Sequence, residues 1–273
     1  MKQLMLLICV GLLHSTFVLS QIKDGIYPRE ANQERLPVPY TYLREADVMW
    51  SRTVWRKLDL REKINLPLYF PVERISDRKS IIQVLIDAVK EGSLTAYSPV
   101  SDNFERYLSA EEIATILVRI DTIMVEDPDN EGTFLTKVMR NELDLAAITE
   151  IRIKEEWFFD RQRSMLDVRI VGIMPIKKEI VDEEVRTKPL FWIYFPEARS
   201  VFANASVFNR HNDGARLTLD DIFTKRMFSS YIYKESIVYD RSIADYMQGQ
   251  DALLEAENIK KNMFNMESDY WEY

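Results

Sequence analysis

The sequence predicts an α+β fold with a helix-rich N-terminal half. A mixed or antiparallel sheet with flanking helices is expected in the C-terminal half, followed by a long C-terminal helix. Apolar residues recur at helical spacing before about residue 125. Three runs rich in β-branched and aromatic residues follow between residues 147 and 195. The 273 residues, 47% of them hydrophobic, suffice for one large domain or two small ones.

The first twenty residues have the pattern of a secretory signal peptide. Lys2 precedes the apolar run Leu4–Leu13, and cleavage is predicted after Ser20. His14 ends the run before it reaches the roughly 20 apolar residues that a membrane span needs. The alternative is an N-terminal anchor helix. Cys9, the only cysteine, lacks the preceding small residues of a lipoprotein cysteine, so no cysteine is expected in the exported chain.

Residues 21–45 are predicted to form an extended arm. The segment is polar and contains Pro28, Pro37 and Pro39, which oppose regular structure. Such arms drape over a neighbouring subunit in an assembly, or stay disordered alone. The sequence leaves both interpretations open.

Two elements are predicted between residues 46 and 71. A helix is expected over Ala46–Leu58, because apolar residues recur there every four positions. They are Ala46, Trp50, Val54 and Leu58, with Met49 beside them. Asn65–Pro71 is expected to be extended, because Pro67 and Pro71 oppose a helix.

The rest of the N-terminal half predicts two helices around a short strand. Ser76 or Asp77 is expected to cap the first helix, which runs to about Glu91, with Gly92 as its stop signal. A strand over 94–97 follows. Ser109 and Glu112 form a capping box that opens the second helix. Its inward residues are expected to be Ile113, Ile116, Leu117 and Ile120.

The C-terminal half predicts mainly strands. They are expected at Ala147–Phe159, Met165–Ile176, Pro189–Phe195 and Phe228–Tyr233. Pro196 and Thr218–Asp221 begin short helices. A long helix is expected from Asp240 to about Met266, before an acidic and aromatic tail.

Two short patterns recur in the two halves. Leu68–Pro71 resembles Ile193–Pro196, and Leu108–Ile113 resembles Leu217–Ile222. The gaps between the paired patterns differ. A duplication is therefore a hypothesis that the sequence leaves open.

The composition argues against common cofactor, metal and nucleic-acid sites. His211 is the only histidine after the predicted cleavage, and it lies in a turn-like sequence. No two glycines are close enough for a phosphate-binding loop. Asp127–Gly132 lacks the ligand spacing of a calcium loop. Without Lys2 the chain has 35 basic and 44 acidic residues, a net charge of −9 that does not favour nucleic acid. No catalytic residue, metal or cofactor is therefore predicted.

The strongest catalytic alternative is the run from Glu155 to Asp160. Glu155 and Glu156 stand beside aromatic residues, as in a carboxylate-dependent glycan hydrolase or a carbohydrate-binding protein. On a strand, however, Glu155 shares a face with Trp157, and Glu156 shares the other with Phe158. That alternation is typical of an ordinary half-buried strand.

A partner interface is the favoured kind of site. Trp55 lies off the apolar stripe of the predicted helix 46–58, beside three basic residues. Tryptophan and arginine are enriched at interface hot spots. The candidate interface residues are Arg52, Trp55, Arg56, Lys57, Trp157 and Arg199.

In order along the chain, these segments resemble the GldN/PorN family, the periplasmic ring component of the type IX secretion and gliding-motility machinery. The resemblance rests on the following segments. They are Asp47–Trp50 with Val54–Trp55, Asp59–Asn65, Leu68–Pro71, Lys154–Asp160, Arg169–Pro175, Leu190–Arg199, Asp220–Phe223 with Arg226, Phe228 and Ser229, and Asp240–Tyr246. It is weakest before Pro39 and after Met247.

The resemblance implies a GldN-like α+β domain over residues 46–246, with related halves at 46–125 and 145–246 if the duplication is real. Residues 247–273 would be the helix end and tail. It further implies a non-enzymatic structural subunit that supports protein secretion and gliding motility. The implied partners are a GldK/PorK-type outer-membrane lipoprotein, the periplasmic domain of a GldM/PorM-type motor subunit, and copies of the same chain in a ring. The implied location is the periplasm, with attachment to the outer membrane through the lipoprotein and no direct membrane span.

Overall fold

The computed structural model describes residues 35–75, 78–126, 134–181, 184–210, 212 and 214–271, with side chains outside 119–139, 180–184 and 271. All of these residues belong to one compact unit. The predicted signal peptide, the arm up to residue 34, the loop 127–132 and His211 lie outside the described residues.

A seven-stranded antiparallel sheet forms the centre of the fold. Its strand order is β11-β1-β5-β6-β8-β2, and β7 also pairs with β6. Two further strand pairs, β3 with β4 and β9 with β10, stand apart from this sheet. The strands are β1 Val48–Asp59, β2 Ala96–Tyr97, β3 Val118–Glu126, β4 Phe134–Glu142, β5 Ile148–Asp160, β6 Met165–Val181, β7 Glu184–Pro189, β8 Trp192–Tyr194, β9 Ser206–Val207, β10 Leu217–Thr218 and β11 Tyr231–Glu235.

Helices pack against this sheet and complete the α+β fold that the sequence predicts. The helices among the described residues are α1 Leu66–Tyr69, α2 Ile81–Lys90, α3 Ala110–Leu117, α4 Phe195–Asn204, α5 Leu219–Thr224 and α6 Gly249–Trp271. The antiparallel sheet and the long C-terminal helix are confirmed. The predicted excess of helix in the N-terminal half is not borne out, because its longest element is a strand.

The helix predicted over Ala46–Leu58 is wrong. Residues 48–59 form β1, which pairs with β5 along nearly its whole length and with β11 on its other side. Side chains alternate between the two faces of a strand. Val54 and Leu58 are fully buried, as predicted, but through this two-residue alternation.

The extended segment predicted over Asn65–Pro71 contains the short helix α1. Pro67 falls in the first turn of α1, where a missing N–H costs no helical hydrogen bond. Asn65 is fully buried just before α1. Its Nδ2 donates to the carbonyls of Asp59 and Ser229, and its Oδ1 accepts from the N–H of Ser229. This one side chain therefore ties the end of β1 to the segment that leads into β11.

Local sequence signals predicted two capping boxes correctly, but two helices begin later than predicted. Ser109 and Glu112 form the predicted capping box of α3, and Thr218 and Asp221 form one at α5. α2 begins at Ile81 with Ser80 as its cap, three or four residues later than the predicted cap. α6 begins at Gly249 rather than Asp240, and a 3₁₀ turn at Ile243–Asp245 comes before it.

Only one of the two recurring patterns corresponds to equivalent elements in the two halves. Both capping boxes open helices, but Leu68–Tyr69 is helical whereas Ile193–Tyr194 lies in β8. The duplication stays a hypothesis.

The sheet buries side chains on both faces. On one face, Leu58, Ile151 and Ile173 pack with α2, α4 and α5 in the largest cluster. Further along that face, Val54, Trp157 and Ile232 pack against Ala256, Ile259 and Met263 of α6. We call this the helix face. The opposite face holds a smaller cluster of Trp55, Met174, Ile176 and Trp192.

Candidate functional site

The catalytic candidate Glu155 lies on β5 on the helix face and is fully buried. Its two carboxylate oxygens accept hydrogen bonds from Nη2 of Arg226 at 3.0 and 3.1 Å. Oε2 also accepts from the indole Nε1 of Trp157 at 3.1 Å. A buried carboxylate with a guanidinium and an indole donor has its charge compensated. Both of its oxygens are therefore engaged in structural hydrogen bonds.

Arg226 reaches Glu155 from an unusual backbone conformation. It follows α5 with φ = +51°, where glycine is the usual residue. The N–H of Met227 bonds the carbonyl of Ile222, and that of Arg226 bonds the carbonyl of Phe223, which forms a Schellman ending. The guanidinium lies over the rings of Trp157 and Phe228 at 5.6 and 5.3 Å. A strained position is therefore occupied by a side chain with three structural contacts.

Glu155 and Glu156 lie on opposite faces of β5. Glu156 is exposed, whereas Glu155 shares the helix face with Trp157, as the alternation predicts. Two carboxylates that flank one bond of a substrate must point into one space. This pair cannot do so.

The candidate residues Arg52 and Arg56 also point to the helix face. Arg52 donates to Glu235 of β11 at 3.1 Å and lies 5.9 Å from the ring centroid of Trp50. Arg56 is only 7% exposed, and its Nε and Nη2 donate to the Oγ and carbonyl of Ser230, both at 2.8 Å. Burial lowers the pKa of Arg56. Both side chains therefore join β1 to β11 or to the residue before it.

Trp55 and Lys57 point to the opposite face. Trp55 is only 7% exposed, and its Nε1 donates to Asp102 at 2.6 Å. The ammonium groups of Lys154 and Lys234 lie 5.7 and 4.6 Å from its ring centroid. The expectation that Trp55 faces outward rested on a helix in which Trp55 lies off the apolar stripe. This reason is wrong, because the segment is a strand.

Lys57 lies beside this cluster, 5.1 Å from the ring centroid of Tyr233. Burial lowers the pKa of Lys57 and raises that of Tyr233 to about 12. The side chain of Lys57 thus covers an aromatic ring at the margin of the cluster.

Arg199 is buried on α4. Its Nε and Nη2 donate to the two carboxylate oxygens of Asp220 on α5, at 2.9 and 3.2 Å. The guanidinium lies 4.3 Å from the ring centroid of Tyr40. Arg199 therefore joins α4, α5 and the segment before β1.

Residues 35–44, which we call the strap, form neither helix nor strand and are held by cationic side chains. Arg169 of β6 donates to the carbonyl of Thr41 at 2.6 Å, and its guanidinium lies 5.1 Å from the ring of Tyr40. Arg163 donates to Oγ1 of Thr41 at 2.7 Å. Arg35 forms an ion pair with Asp221 at 3.2 Å. The described end of the predicted arm is thus bound to the chain's own surface.

The structure does not bring the six candidate interface residues together. Arg52, Arg56 and Trp157 belong to the helix face, Trp55 and Lys57 to the opposite face, and Arg199 to α4. Whether any of them meets a partner stays a prediction. The sequence reasoning missed their internal partners Asp102, Asp220 and Arg226. Asp220 and Arg226 lie in segments that carry the family resemblance. That resemblance was the one feature of the sequence that pointed to them.

Among the described residues, no group of three or more His, Cys, Asp or Glu side chains is arranged to hold a metal ion. No helix in the described part of the chain has the length and apolar character needed to cross a membrane.

The model of a family described as gliding motility associated protein GldN matches residues 43–272. A comparison with individual curated proteins gives no match. The family match begins within the strap and covers every strand and helix described above.

Proposed function

This chain belongs to the GldN family of gliding motility associated proteins, and from that premise we propose that it is a non-enzymatic structural subunit of a periplasmic ring. The ring serves type IX protein secretion and, with it, gliding motility. The observation that carries the proposal is the extent of the family match, residues 43–272 of 273. A match of that extent involves the whole folded unit rather than one local motif.

The proposed partners are a GldK/PorK-type outer-membrane lipoprotein, the periplasmic domain of a GldM/PorM-type motor subunit, and further copies of this chain. In this proposal a signal peptide over residues 1–20 exports the chain. The lipoprotein then keeps it at the outer membrane.

The occupied polar groups support a structural role. Glu155, Arg199 and Trp55 each have their polar atoms bound to a named internal partner. Buried polar groups that are paired in this way specify one arrangement of strands and helices. A subunit that keeps its shape inside an assembly needs that property.

The strap supplies a contact surface. Leu36, Val38 and Tyr42 are 84%, 71% and 85% exposed, although the strap itself is held by Arg35, Arg163 and Arg169. An apolar row on an anchored backbone loses little conformational entropy when a partner covers it. We infer that this row meets a neighbouring subunit.

Affinity purification of the tagged chain from the native periplasm tests the assembly role. We expect the lipoprotein and the motor subunit to co-elute, together with untagged copies of the chain. A Leu36→Asp/Val38→Asp variant should lose the untagged copies, because two charges would enter the contact. Val238→Asp, at a residue that is 99% exposed outside the strap, is the matched control. A stable monomer that recovers none of these proteins would overturn the proposal.

A further inference from the structure

A cavity of about 380 Å³ lies between α6 and the helix face of the sheet. Its lining combines cationic and apolar side chains from β1, β5, β6, the segment before β11, and α6. Those that matter for binding are Arg56, Trp157, Arg226, Phe228, Lys260 and Phe264.

Arg56 is a largely buried cation that forms no ion pair, although the nearby carboxylates of Glu155 and Glu257 favour its charged form. Its Nε and Nη2 donate to Ser230. Within the described part of the chain its guanidinium forms no ion pair, and its hydrogen bonds to Ser230 use only Nε and Nη2. A buried charge is costly unless it is paired. Because Arg56 lines the cavity, an anion there could form the direct ion pair that Arg56 lacks.

The lining also holds two further cations, Arg226 and Lys260, and two carboxylates, Asp167 and Glu267. Nη2 of Arg226 bonds Glu155. Asp167 accepts from the N–H of Val168, and Glu267 accepts from the N–H of Leu166. Lys260 has 41% of its side chain exposed and lies 4.0 Å from Glu257. Lys260 is therefore a second cation available to an incoming anion.

The walls of the cavity are apolar and aromatic. Trp157 and Phe264 meet edge to face with their ring centroids 6.0 Å apart, and Leu166, Val168 and Phe228 complete the lining. Phe264 is 48% exposed, so it contacts both solvent and the cavity. A ligand that fits this lining has an anionic end and an apolar body.

We propose that this cavity binds a carboxylate carried on an aromatic body, with the carboxylate on Arg56 and the ring against Trp157 and Phe264. A planar guanidinium with a free N–H is well suited to a carboxylate. The ligand is either a free aromatic acid or an acidic residue next to an aromatic one in a peptide. Both sources present the same chemistry to the cavity.

Titration of the full chain with two matched pairs of probes distinguishes these sources. N-acetylphenylalanine and its uncharged amide represent the free acid. Acetyl-Trp-Glu-amide and acetyl-Trp-Gln-amide represent the peptide. Binding is followed by the indole N–H resonance of Trp157. We expect at least one acid to bind about tenfold more tightly than its neutral counterpart, the factor that one charge-assisted hydrogen bond provides.

Variants separate binding from folding. Arg56→Gln should remove most of the preference for the acid. Phe264→Ala should weaken the binding of the acid and of its neutral counterpart alike. Because Phe264 is half-exposed, this change should destabilise the fold less than the loss of a buried ring. Lys260→Gln should weaken the acid only, whereas Lys261→Gln, at the exposed next residue, should change nothing. If neither acid binds better than its neutral counterpart, or if the acid binds Phe264→Ala and Lys260→Gln as tightly as the unchanged chain, the proposal is wrong. The assembly role does not depend on this outcome.

Discussion

Nη2 of Arg226 donates hydrogen bonds to both carboxylate oxygens of Glu155, a side chain with no exposed surface. Arg226 itself keeps 31% of its side chain exposed. The pair joins the middle of the sheet to the turn that ends α5. Because the two partners differ in exposure, removing one or the other has unequal consequences.

Arg226→Gln should cost more stability than Glu155→Gln. Loss of the arginine leaves a fully buried carboxylate without its cation, for which we expect about 3–5 kcal/mol in the free energy of unfolding. Loss of the carboxylate leaves a cation that water still reaches, and the cost should be smaller. Urea unfolding at pH 7 measures both values.

Glu156→Gln is the matched control for this pair, because Glu156 is exposed on the other face of β5. It should change stability by no more than about 0.5 kcal/mol. Equal effects of Arg226→Gln and Glu156→Gln would contradict the assigned role. A glycan hydrolase that uses Glu155 would instead lose activity in Glu155→Gln with its stability unchanged.

The failure of the helix prediction at 46–58 has a simple physical cause. A spacing of four residues fits the helical period of 3.6, but it is also two periods of a strand. Trp50, Val54 and Leu58 therefore share a face in either structure. The β-branched and aromatic residues Val48, Thr53 and Trp55 favoured the strand, and pairing with β5 and β11 decided it.

The sequence predicted elements whose signals are local, and it missed contacts between distant residues. The capping boxes at Ser109 and Thr218 lie within four residues, so they could be recognised. Trp55 and Asp102 are 47 residues apart, and their hydrogen bond depends on how the loop before α3 folds over the sheet. The positive φ of Arg226 has no signal in the residue type.

Gly172→Ala should disturb the loop that carries Asp102. A methyl group at Gly172 would collide with the ring of Phe104, which also contacts Tyr97 and Trp192 edge to face. We expect a loss of about 1–3 kcal/mol, typical of overpacking, in thermal or urea unfolding. Phe104→Ala in the same chain removes the colliding ring. The double variant should therefore cost less than the sum of the single ones, and simple additivity would contradict the contact.

Tyr40→Ala should release the strap from the body. The ring of Tyr40 lies against the guanidinium groups of Arg199 and Arg169, and burial raises its pKa. Hydrogen exchange of the amides between residues 36 and 44 should become faster, while exchange in β5 stays unchanged. Tyr42→Ala is the control, because Tyr42 is 85% exposed. The same increase in both variants would show that the contacts of Tyr40 do not hold the strap.

Tyr233 should make the fold sensitive to alkali. Burial raises the pKa of its phenol from 10 to about 12, because the phenolate would lose solvation in the aromatic cluster. A group whose pKa is raised on folding contributes its stability fully below the unfolded pKa. That contribution is lost as the pH rises through the folded pKa, here between pH 10 and 12.

The size of the Tyr233 effect follows from the shift. A change of two pKa units corresponds to about 2–3 kcal/mol of unfolding free energy. Tyr233→Phe keeps the ring beside Lys57 but removes the ionisation. It should therefore lose less stability than the unchanged chain when urea unfolding is repeated from pH 9 to 12. Tyr239→Phe, at a tyrosine that is 76% exposed, should behave like the unchanged chain. If Tyr233→Phe and Tyr239→Phe lose stability in parallel over this range, the phenol of Tyr233 ionises as an ordinary surface group and the cluster does not protect it.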